Sequence, residues 1–456
     1  MMKRFLLVVC LAVAFLAMGA TLDVASTQAA PTQAGPRIVQ GTQTTAFPAV
    51  GMLMAGSEQD RRSMVCTGTM VGCRTFLTAA HCVCLGSNTG ADCQPPTAPD
   101  ASRYHVFLQH AGVFDVERIA VHPNFDFPDA DLAVITLAND VLGVAPVALT
   151  STPAVAPRHA QVVGFGRPTG VAPLILGIKR EGAVRTTTCN SDDNDEMICW
   201  DFVGEGANTC SGDSGGPLFF GDGSDRVLAG VTGGGDAANC LAPDHSHDVN
   251  LFKYRDWISS QAPKIDGITH CGAGPQAGDE AGPIVGFAGE LSEAAMAETH
   301  SFEVLEGTRE LRVGFNGREG QATDFSYFVR QGVPAQDGIA DCTHILPLQS
   351  GLCVFTNPTP GTWFVTVESF RGSGEYQFSA LAIQRMIACG DPDGSGTATA
   401  SDALFALRAA VGAGVCAPSV CDADGSGRVT AGDALTILRI AVEQVASLAC
   451  PTVEPA

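Results

Sequence analysis

The stretch TCSGDSGGPL, at Thr209–Leu218, constrains this chain most, because it sets one serine, Ser214, among glycines. Glycines let the backbone turn sharply and let another molecule approach it closely. Backbone N–H groups beside such a serine can point at one spot and stabilise a negatively charged oxygen. A serine hydroxyl is a weak nucleophile, so it needs a nearby base, and that base needs an acid to orient it. The stretch therefore predicts a nucleophile with partners elsewhere in the chain.

Candidates for both partners precede the serine in the sequence. The segment LTAAHC offers His81 as the base, and DLAVI offers Asp131 as the acid. Two further carboxylates, Asp126 and Asp129, lie close to Asp131 and are rivals for its role. Only Asp131 begins an apolar, strand-like run, so we expect it to be the acid.

The segments around His81, Asp131 and Ser214, in that order and after an Ile-Val-x-Gly start, together resemble the trypsin/chymotrypsin family of serine proteases. The resemblance covers residues 38–271, about half of the chain. It implies a mainly β fold of two six-stranded antiparallel barrels. It also implies a secreted endopeptidase that hydrolyses peptide bonds through an acyl-enzyme, with protein or peptide substrates and no cofactor for catalysis. The N–H groups of Gly212 and Ser214 would then form the oxyanion hole.

The same resemblance implies a zymogen. Cleavage between Arg37 and Ile38 would free an α-amino group that pairs with Asp213 and orders the oxyanion loop. The uncleaved chain is then expected to be nearly inactive.

Resemblance also assigns a specificity pocket, with Asn208 at its base and Gly235 in its wall. Trypsin-like enzymes carry Asp at the base, and a neutral Asn offers no charge to a basic substrate side chain. We therefore expect little preference for Lys or Arg at P1, the residue whose carbonyl is attacked, and cleavage at Arg37 by another protease. Asp248 remains an alternative source of the missing charge.

Charge and the N-terminus bear on location and partners. With 26 basic and 48 acidic residues, the net charge of −22 argues against nucleic acid and anionic membranes as partners. Residues 1–30 are typical of a signal peptide, with cleavage after Ala20, Ala25 or Ala30 left open. Residues 31–37 are then a pro-segment, and the protein is expected to be secreted.

The cysteines fit an exported protein. Seventeen are present, and sixteen remain once Cys10 leaves with the signal peptide, an even number that favours disulfides. The resemblance implies three pairs, two local loops suggest two more, and one pair would tie the closing helix to the first barrel. These are Cys66–Cys82, Cys189–Cys199, Cys210–Cys240, Cys84–Cys93, Cys342–Cys353 and Cys73–Cys271.

Beyond the first half the composition changes twice. Residues 272–282 are rich in Gly, Ala, Pro and acids and predict a linker. Residues 283–388 return to strand-like runs such as Glu310–Phe315 and Thr362–Val367, and they resemble the bacterial pre-peptidase C-terminal domain, a β-sandwich.

Residues 389–450 contain a repeat with an offset of 31 residues, from Asp391 to Asp422. Oxygen-bearing side chains at loop positions 1, 3, 5 and 12, with glycine at 6, resemble a Ca²⁺ loop. One helix after each loop, with Asp as the last ligand, is similar to dockerin repeats and implies Ca²⁺ and a cohesin-like partner. The helices are expected to face each other through residues with helical spacing, which are Leu404, Leu407, Arg408 and Val411, and Leu435, Leu438, Arg439 and Val442. The predicted ligands are Asp391, Asp393, Ser395, Thr397 and Asp402, then Asp422, Asp424, Ser426, Arg428 and Asp433, with Thr397 and Arg428 acting through backbone carbonyls.

A second class of function is consistent with the same features. The chain could be a non-catalytic protease homologue that acts as a Ca²⁺-stabilised extracellular binding or anchoring protein. A covalent serine-directed probe at Ser214 separates the two hypotheses.

Overall fold

The structure is a computed structural model, and it describes most of the chain from Ile38 to Cys450. The predicted signal peptide and pro-segment, residues 1–37, lie outside the described residues. Within the described part, no helix is both long enough and apolar enough to cross a membrane. The described ranges are 38–56, 63–84, 89–93, 98–170, 176–189, 195–262, 265, 271–272, 279–318, 324–336, 338–344, 350–385, 388–394, 397–414, 416, 418–444 and 447–450.

A closed six-stranded antiparallel barrel follows the short strand β1 (Thr42–Gln43). Most of its apolar positions are buried, as the strand-like runs predicted, and Tyr104–Leu108 has the predicted bounds. Burial of such apolar side chains is the main favourable term in folding. The barrel strands are β2 (Val50–Ala55), β3 (Ser63–Gly72), β4 (Thr75–Thr78), β5 (Tyr104–Leu108), β6 (Gly112–Val121) and β7 (Ala133–Leu137).

Six further strands form a second barrel, which closes because the first of them pairs with strands on both sides. A helix, α1 (Leu251–Gln261), follows it and contains the predicted closing segment. The two-barrel expectation is thus confirmed. The strands are β8 (His159–Gly164), β9 (Arg180–Thr187), β10 (Met197–Phe202), β11 (Pro217–Phe220), β12 (Val227–Gly235) and β13 (Asp244–Asn250).

All six expected disulfides are present. The bond between Cys73 and Cys271 joins residues 198 positions apart and so fixes the end of the protease-like part to its first barrel. Two more bonds, Cys389–Cys450 and Cys416–Cys421, close the C-terminal repeat. The sixteen cysteines after Cys10 are therefore all paired.

The next segment, which we call the two-sheet unit (279–385), has two four-stranded antiparallel sheets around one apolar core. Its first strand begins at Asp279, inside the predicted linker 272–282. One sheet has the order β14-β21-β16-β19, and the other β15-β20-β17-β18. The strands are β14 (Asp279–Leu291), β15 (Ala297–Val304), β16 (Thr308–Gly317), β17 (Asp324–Gln331), β18 (Cys342–His344), β19 (Ser350–Thr356), β20 (Gly361–Arg371) and β21 (Gly374–Arg385).

The two-sheet unit packs on the barrels through buried polar side chains. Gln377 accepts from the N–H of Lys179 at 2.9 Å and donates to the carbonyl of Thr44 at 3.1 Å. Gln109 donates to Asn316 at 2.6 Å, and all three of these amide side chains are fully buried. Buried polar groups without partners are costly, so this network requires the two surfaces to stay together.

The C-terminal repeat folds into helices α2 (Ala400–Ala410), α3 (Pro418–Cys421) and α4 (Ala431–Ala441). Each long helix begins with a capping box, in which Asp402 or Asp433 accepts from the N–H of the N-cap threonine. The expectation for the facing residues is wrong. The small residues Ala403, Ala406 and Ala434, with Ile437, form the buried core, whereas the predicted leucines are 39–50% exposed. These leucines are Leu404, Leu407, Leu435 and Leu438.

Candidate active site

The structure brings His81 and Asp131 into direct contact between the loops that follow β4 and precede β7. Asp131 Oδ2 lies 2.6 Å from His81 Nδ1, and its other oxygen accepts the backbone N–H of His81 at 2.8 Å. Asp131 is fully buried, whereas the His81 side chain is 26% exposed. A buried carboxylate bound twice to one histidine fixes the ring orientation and leaves Nε2 to act as a base.

Among the described residues, neither rival carboxylate is hydrogen-bonded to His81. Asp126 and Asp129 instead form a tight turn in which each backbone N–H donates to the other residue's carbonyl. Asp126 is exposed and Asp129 is half-buried. The choice of Asp131 from the start of an apolar run therefore agrees with the geometry.

Ser214 is held beside His81 through its backbone. Its carbonyl accepts the N–H of Thr67 at 2.9 Å and lies 3.8 Å from Sγ of Cys82, the residue after His81. Among the described residues no hydrogen bond joins Ser214 Oγ to His81 Nε2. Such bonds are often long before substrate binds, so this geometry does not argue against the pairing.

The turn at Gly212 leaves two N–H groups available at the serine. Gly212 has a φ of 95°, a conformation that favours glycine, and its carbonyl is fixed by the hydroxyl of Thr67 at 2.8 Å. Asp213 N–H is bonded to the carbonyl of Cys210, but within the described residues the N–H groups of Gly212 and Ser214 donate no hydrogen bond. Both predicted oxyanion donors are thus free to bind a ligand oxygen.

Asp213 is completely buried next to this turn. Its two oxygens accept the backbone N–H groups of Gly166 at 2.8 Å and Cys210 at 2.9 Å. Burial raises the pKa of Asp213 to about 7, against smaller opposing effects of these two bonds and of Arg180. Ile38 is buried in the core of the second barrel, but among the described residues no bond joins it to Asp213.

Asn208, which the resemblance assigns to the base of the specificity pocket, is fully buried. Its side chain donates to Asp244 Oδ2 at 2.7 Å and accepts from the hydroxyl of Ser246 at 2.6 Å. Gly235, the residue assigned to the pocket wall, packs against the same acid, since an added Cβ would come within 2.8 Å of both carboxylate oxygens of Asp244. The two predicted pocket residues therefore share one neighbour, Asp244, that sequence reasoning did not select.

The alternative acid, Asp248, is also buried on β13, and burial raises its pKa well above the ordinary value, against an opposing effect of the Thr232 side chain. The opposite face of that strand carries His247, whose pKa is lowered chiefly by burial. Phe127 lies edge-on between His81 and His247, with ring centroids 5.7 and 6.3 Å away. The Phe127 ring also lies beside Gly234, since an added Cβ on this glycine would be 3.8 Å from the ring.

In each half of the C-terminal repeat, three carboxylates converge. Their oxygens lie within 4.8 Å of one another, in the sets Asp391, Asp393 and Asp402, and Asp422, Asp424 and Asp433. Ser426 Oγ lies 3.2 Å from the Arg428 carbonyl, next to the second set. Two further ligands were predicted for the first set. Ser395 lies outside the described residues, and Thr397 stands two positions after it in the chain.

The part of the chain that carries these residues is similar to known proteins. A family profile described as Trypsin matches residues 38–258. Brachyurin of Leptuca pugilator is 30% identical over 210 residues, 43% of this chain and 87% of that protein. Trypsin-1 of Astacus astacus is 29% identical over 203 residues, 41% of this chain and 83% of that protein. Transmembrane protease serine 11C of Mus musculus is 29% identical over 220 residues. The match spans 43% of this chain but only 47%, about half, of the mouse protein.

The chain belongs to the trypsin family of serine proteases. Its enzyme class is that of a serine-type endopeptidase, a hydrolase of peptide bonds.

Proposed function

We propose that this protein is a secreted endopeptidase that acts through Ser214, His81 and Asp131. The observation that carries the proposal is the buried Asp131 carboxylate, which contacts both the ring and the backbone of His81 beside the serine turn. His81 takes the proton of Ser214 as the hydroxyl attacks the scissile carbonyl, and later gives it to the leaving amine. Asp131 holds the imidazole and stabilises its cationic form.

The N–H groups of Gly212 and Ser214 receive the oxyanion of the tetrahedral intermediate. Neither group has an acceptor within the described residues. The Thr67 hydroxyl donates to the Gly212 carbonyl and so holds the turn in place. Loss of one such donor generally lowers the rate by about 10²–10³-fold.

We also propose that cleavage before Ile38 activates the enzyme. Among the described residues, the buried Asp213 carboxylate accepts hydrogen bonds only from neutral backbone N–H groups, and its pKa is raised to about 7 by burial. A cationic α-amino group at Ile38 would compensate that charge and hold the Gly212 turn. Secretion is supported by eight disulfides, which persist in oxidising compartments.

The C-terminal repeat is proposed to bind two Ca²⁺ ions. In each half, three carboxylates lie close enough to share one ion, and two of the three are buried. Oxygen donors in this number suit Ca²⁺. In the first half Asp391, Asp393 and Asp402 would hold the ion with Ser395 and the Thr397 carbonyl. In the second half the ligands are Asp422, Asp424, Ser426, Asp433 and the Arg428 carbonyl.

A cohesin-like protein remains the proposed partner of this repeat. Both helices expose apolar residues at equivalent positions, such as Leu404 and Leu435, which are 50% and 48% exposed. Apolar residues that are exposed in equivalent places on two helices are suited to protein contacts.

The proposed catalysis is tested with a fluorophosphonate probe on chain processed before Ile38. We expect stoichiometric labelling of Ser214 and none in Ser214→Ala. The rate of Ser214 labelling should fall strongly in His81→Ala. An unlabelled, folded and processed wild-type chain would support the non-catalytic binding protein instead.

A further inference from the structure

The strand that follows the proposed activation site is held by few contacts of its own. β1 begins four residues after Ile38 and comprises only Thr42–Gln43. It lies at the edge of the described sheet and pairs only with β9, with Thr42 opposite Glu181 and Gln43 opposite Arg180. Chain termini are poorly ordered unless such a strand ties them to the fold. The N-terminus that is freed at Ile38 therefore depends on how firmly β1 stays paired with β9.

One amide side chain of the two-sheet unit binds the backbone of both strands. Gln377, on β21, donates to the carbonyl of Thr44, directly after β1, at 3.1 Å. It also donates to the carbonyl of Lys179, directly before β9, at 2.8 Å and accepts the N–H of Lys179 at 2.9 Å. Gln377 and Lys179 are fully buried, so removing this amide would leave the Lys179 N–H without an acceptor and without water.

A carboxylate two positions earlier on β21 makes the same link through side chains. Glu375 Oε2 accepts from Arg180 Nη2 at 2.6 Å, and its other oxygen accepts from the side-chain amide of Gln43. Gln43 and Arg180 stand opposite each other in the β1–β9 pairing. Because side chains alternate along a strand, Glu375 and Gln377 lie on one face of β21. We call these two residues the β21 clamp, since together they hold β1 against β9.

β9 connects the β21 clamp to the activation site. Arg180 pairs with Gly164 of β8, and the Asp213 carboxylate lies so close to Gly164 that it leaves no room for a Cβ atom there. Burial raises the pKa of Asp213 to about 7, and the charge of Arg180 opposes this effect. Two residues further along β9, an added Cβ on Gly182 would lie 3.3 Å from Cγ2 of Ile38. β9 therefore reaches Ile38 directly, and through its pairing with β8 it borders Asp213.

We infer that Glu375 and Gln377 are positioning residues of the protease, so that the two-sheet unit is part of the active enzyme. The β21 clamp holds the β1–β9 pair, and this pair keeps the freed Ile38 α-amino group at Asp213 and the Gly212 turn in its active form. The inference rests on the proposed activation before Ile38 and extends it, because a contact outside the protease barrels then contributes to the activation equilibrium.

The alkaline limit of activity measures the strength of the β21 clamp. A free α-amino group has a pKa of about 8, and pairing with Asp213 raises the pKa of the Ile38 amine because only its protonated form pairs. Activity is therefore present at neutral pH and is lost as pH rises through this raised value. While the ordered form predominates, the pH of half-maximal activity falls by about one unit for each tenfold weakening of that form.

Other charged side chains lie near these strands. They include Arg180, Glu375, Glu181 and Lys179. Arg180 stays cationic throughout the range of the alkaline limit. Burial, opposed by Glu181, lowers the pKa of Lys179 to about 7, which is below that limit.

The test compares two leucine substitutions on β21 in the full chain. Residues 33–37 are replaced by a recognition sequence for an added protease, so that every variant is cut before Ile38. Gln377→Leu removes the clamp amide without a change of charge, and Gln384→Leu makes the same substitution at a half-buried residue further along the strand. We expect Gln377→Leu to lower the pH of half-maximal kcat/KM by about one unit, because its buried hydrogen bonds are lost. Gln384→Leu should keep the wild-type profile.

A second measurement does not depend on turnover. The processed Ser214→Ala chain is treated briefly with acetic anhydride, and acetylation of the Ile38 α-amino group is followed by mass spectrometry of the N-terminal peptide. A paired, buried amine reacts slowly. Gln377→Leu should therefore raise the acetylation rate about tenfold, in step with a one-unit shift of the alkaline limit, and Gln384→Leu should leave it unchanged.

A milder variant covers the case in which Gln377→Leu does not fold. Gln43→Ala removes only the bond to Glu375 and should shift the alkaline limit in the same direction by a smaller amount. Folded clamp variants with the wild-type alkaline limit and acetylation rate would overturn the inference alone, as would equal shifts in Gln377→Leu and Gln384→Leu. Failure of Ser214 labelling, or equal activity of processed and unprocessed wild type, overturns the proposed function instead.

Discussion

One ion pair joins the two-sheet unit to the protease barrels, and its removal gives a strong test of their docking. Arg180 Nη2 lies 2.6 Å from Glu375 Oε2, and the side chains are 0% and 2% exposed. Arg180 Nη1 also donates to the carbonyl of Ile178, and Gln43 donates to the second oxygen of Glu375. Glu375→Gln keeps the shape of the side chain but removes the negative charge of this pair.

The expected loss follows from the burial of both partners. Removing one partner of a buried pair leaves an uncompensated charge and typically costs about 3–5 kcal/mol. Natural domains have about 5–15 kcal/mol in total, so the loss is a large fraction of the stability. Replacing both partners, as in Arg180→Met with Glu375→Leu, should recover much of it, because neither charge then remains buried.

The assay is urea unfolding of the inactive Ser214→Ala chain, followed by tryptophan fluorescence. Trp200 and Trp257 report on the barrels and Trp363 on the two-sheet unit. The control is Glu117→Gln, which breaks the exposed pair with Arg74 and should cost under about 1 kcal/mol. If Glu375→Gln costs no more than Glu117→Gln, the pair does not hold the units together and this reasoning is refuted.

Three further predictions concern pH, calcium and activation. His110 is buried with both ring nitrogens unbonded among the described residues, and burial, with Lys179 and Arg312, lowers its pKa to about 3 from 6.5. Its neutral form is therefore required in the folded state. Stability should fall as pH drops below 6.5, and His110→Leu should weaken this dependence in pH-dependent melts; an unchanged profile contradicts the prediction. Chelation of Ca²⁺ should lower the melting temperature of the repeat, and calorimetry should find about two sites in wild type and one in Asp422→Ala; no heat of binding in the wild type contradicts it. Arg37→Gln should leave a folded chain that turns over peptides far more slowly than processed wild type, and equal rates would disprove the activation switch.

The sequence predicted the reacting groups because their roles depend on residue type within short segments. Asp131 could be chosen over Asp126 and Asp129 because only it opens an apolar strand, and the 2.6 Å contact with His81 agrees. Six of the eight disulfide pairings could be anticipated from local loops and family resemblance, whereas Cys389–Cys450 and Cys416–Cys421 were not predicted. Short segments, together with the family resemblance, were therefore sufficient for these features.

Features that depend on register and on distant surfaces could not be predicted. The β12–β13 pairing has an irregularity between Thr232 and Gly234, so the register of β13 cannot be counted off from residue spacing alone. Asp244 and Asp248 share a strand face, so only the register places Asp244 beside Asn208.

Docking of the two-sheet unit depends on neutral amides such as Gln109 and Gln377, whose burial has no sequence signature. The prediction of which α2 residues face α4 was wrong for a related reason. The spacing of Leu404 and Leu407 is helical, but the short contact between helices is made by the small residues beside them.

The most direct test of the central claim is whether an acyl group accumulates on Ser214. Full chain processed before Ile38 is mixed rapidly with p-nitrophenyl acetate, and the adduct is located by peptide mass spectrometry. We predict a burst of about one nitrophenolate per chain and an acetyl group on Ser214, both lost in His81→Ala. A processed, folded chain with no burst, or with acetyl groups only on other residues, would contradict the claim that Ser214 is the nucleophile.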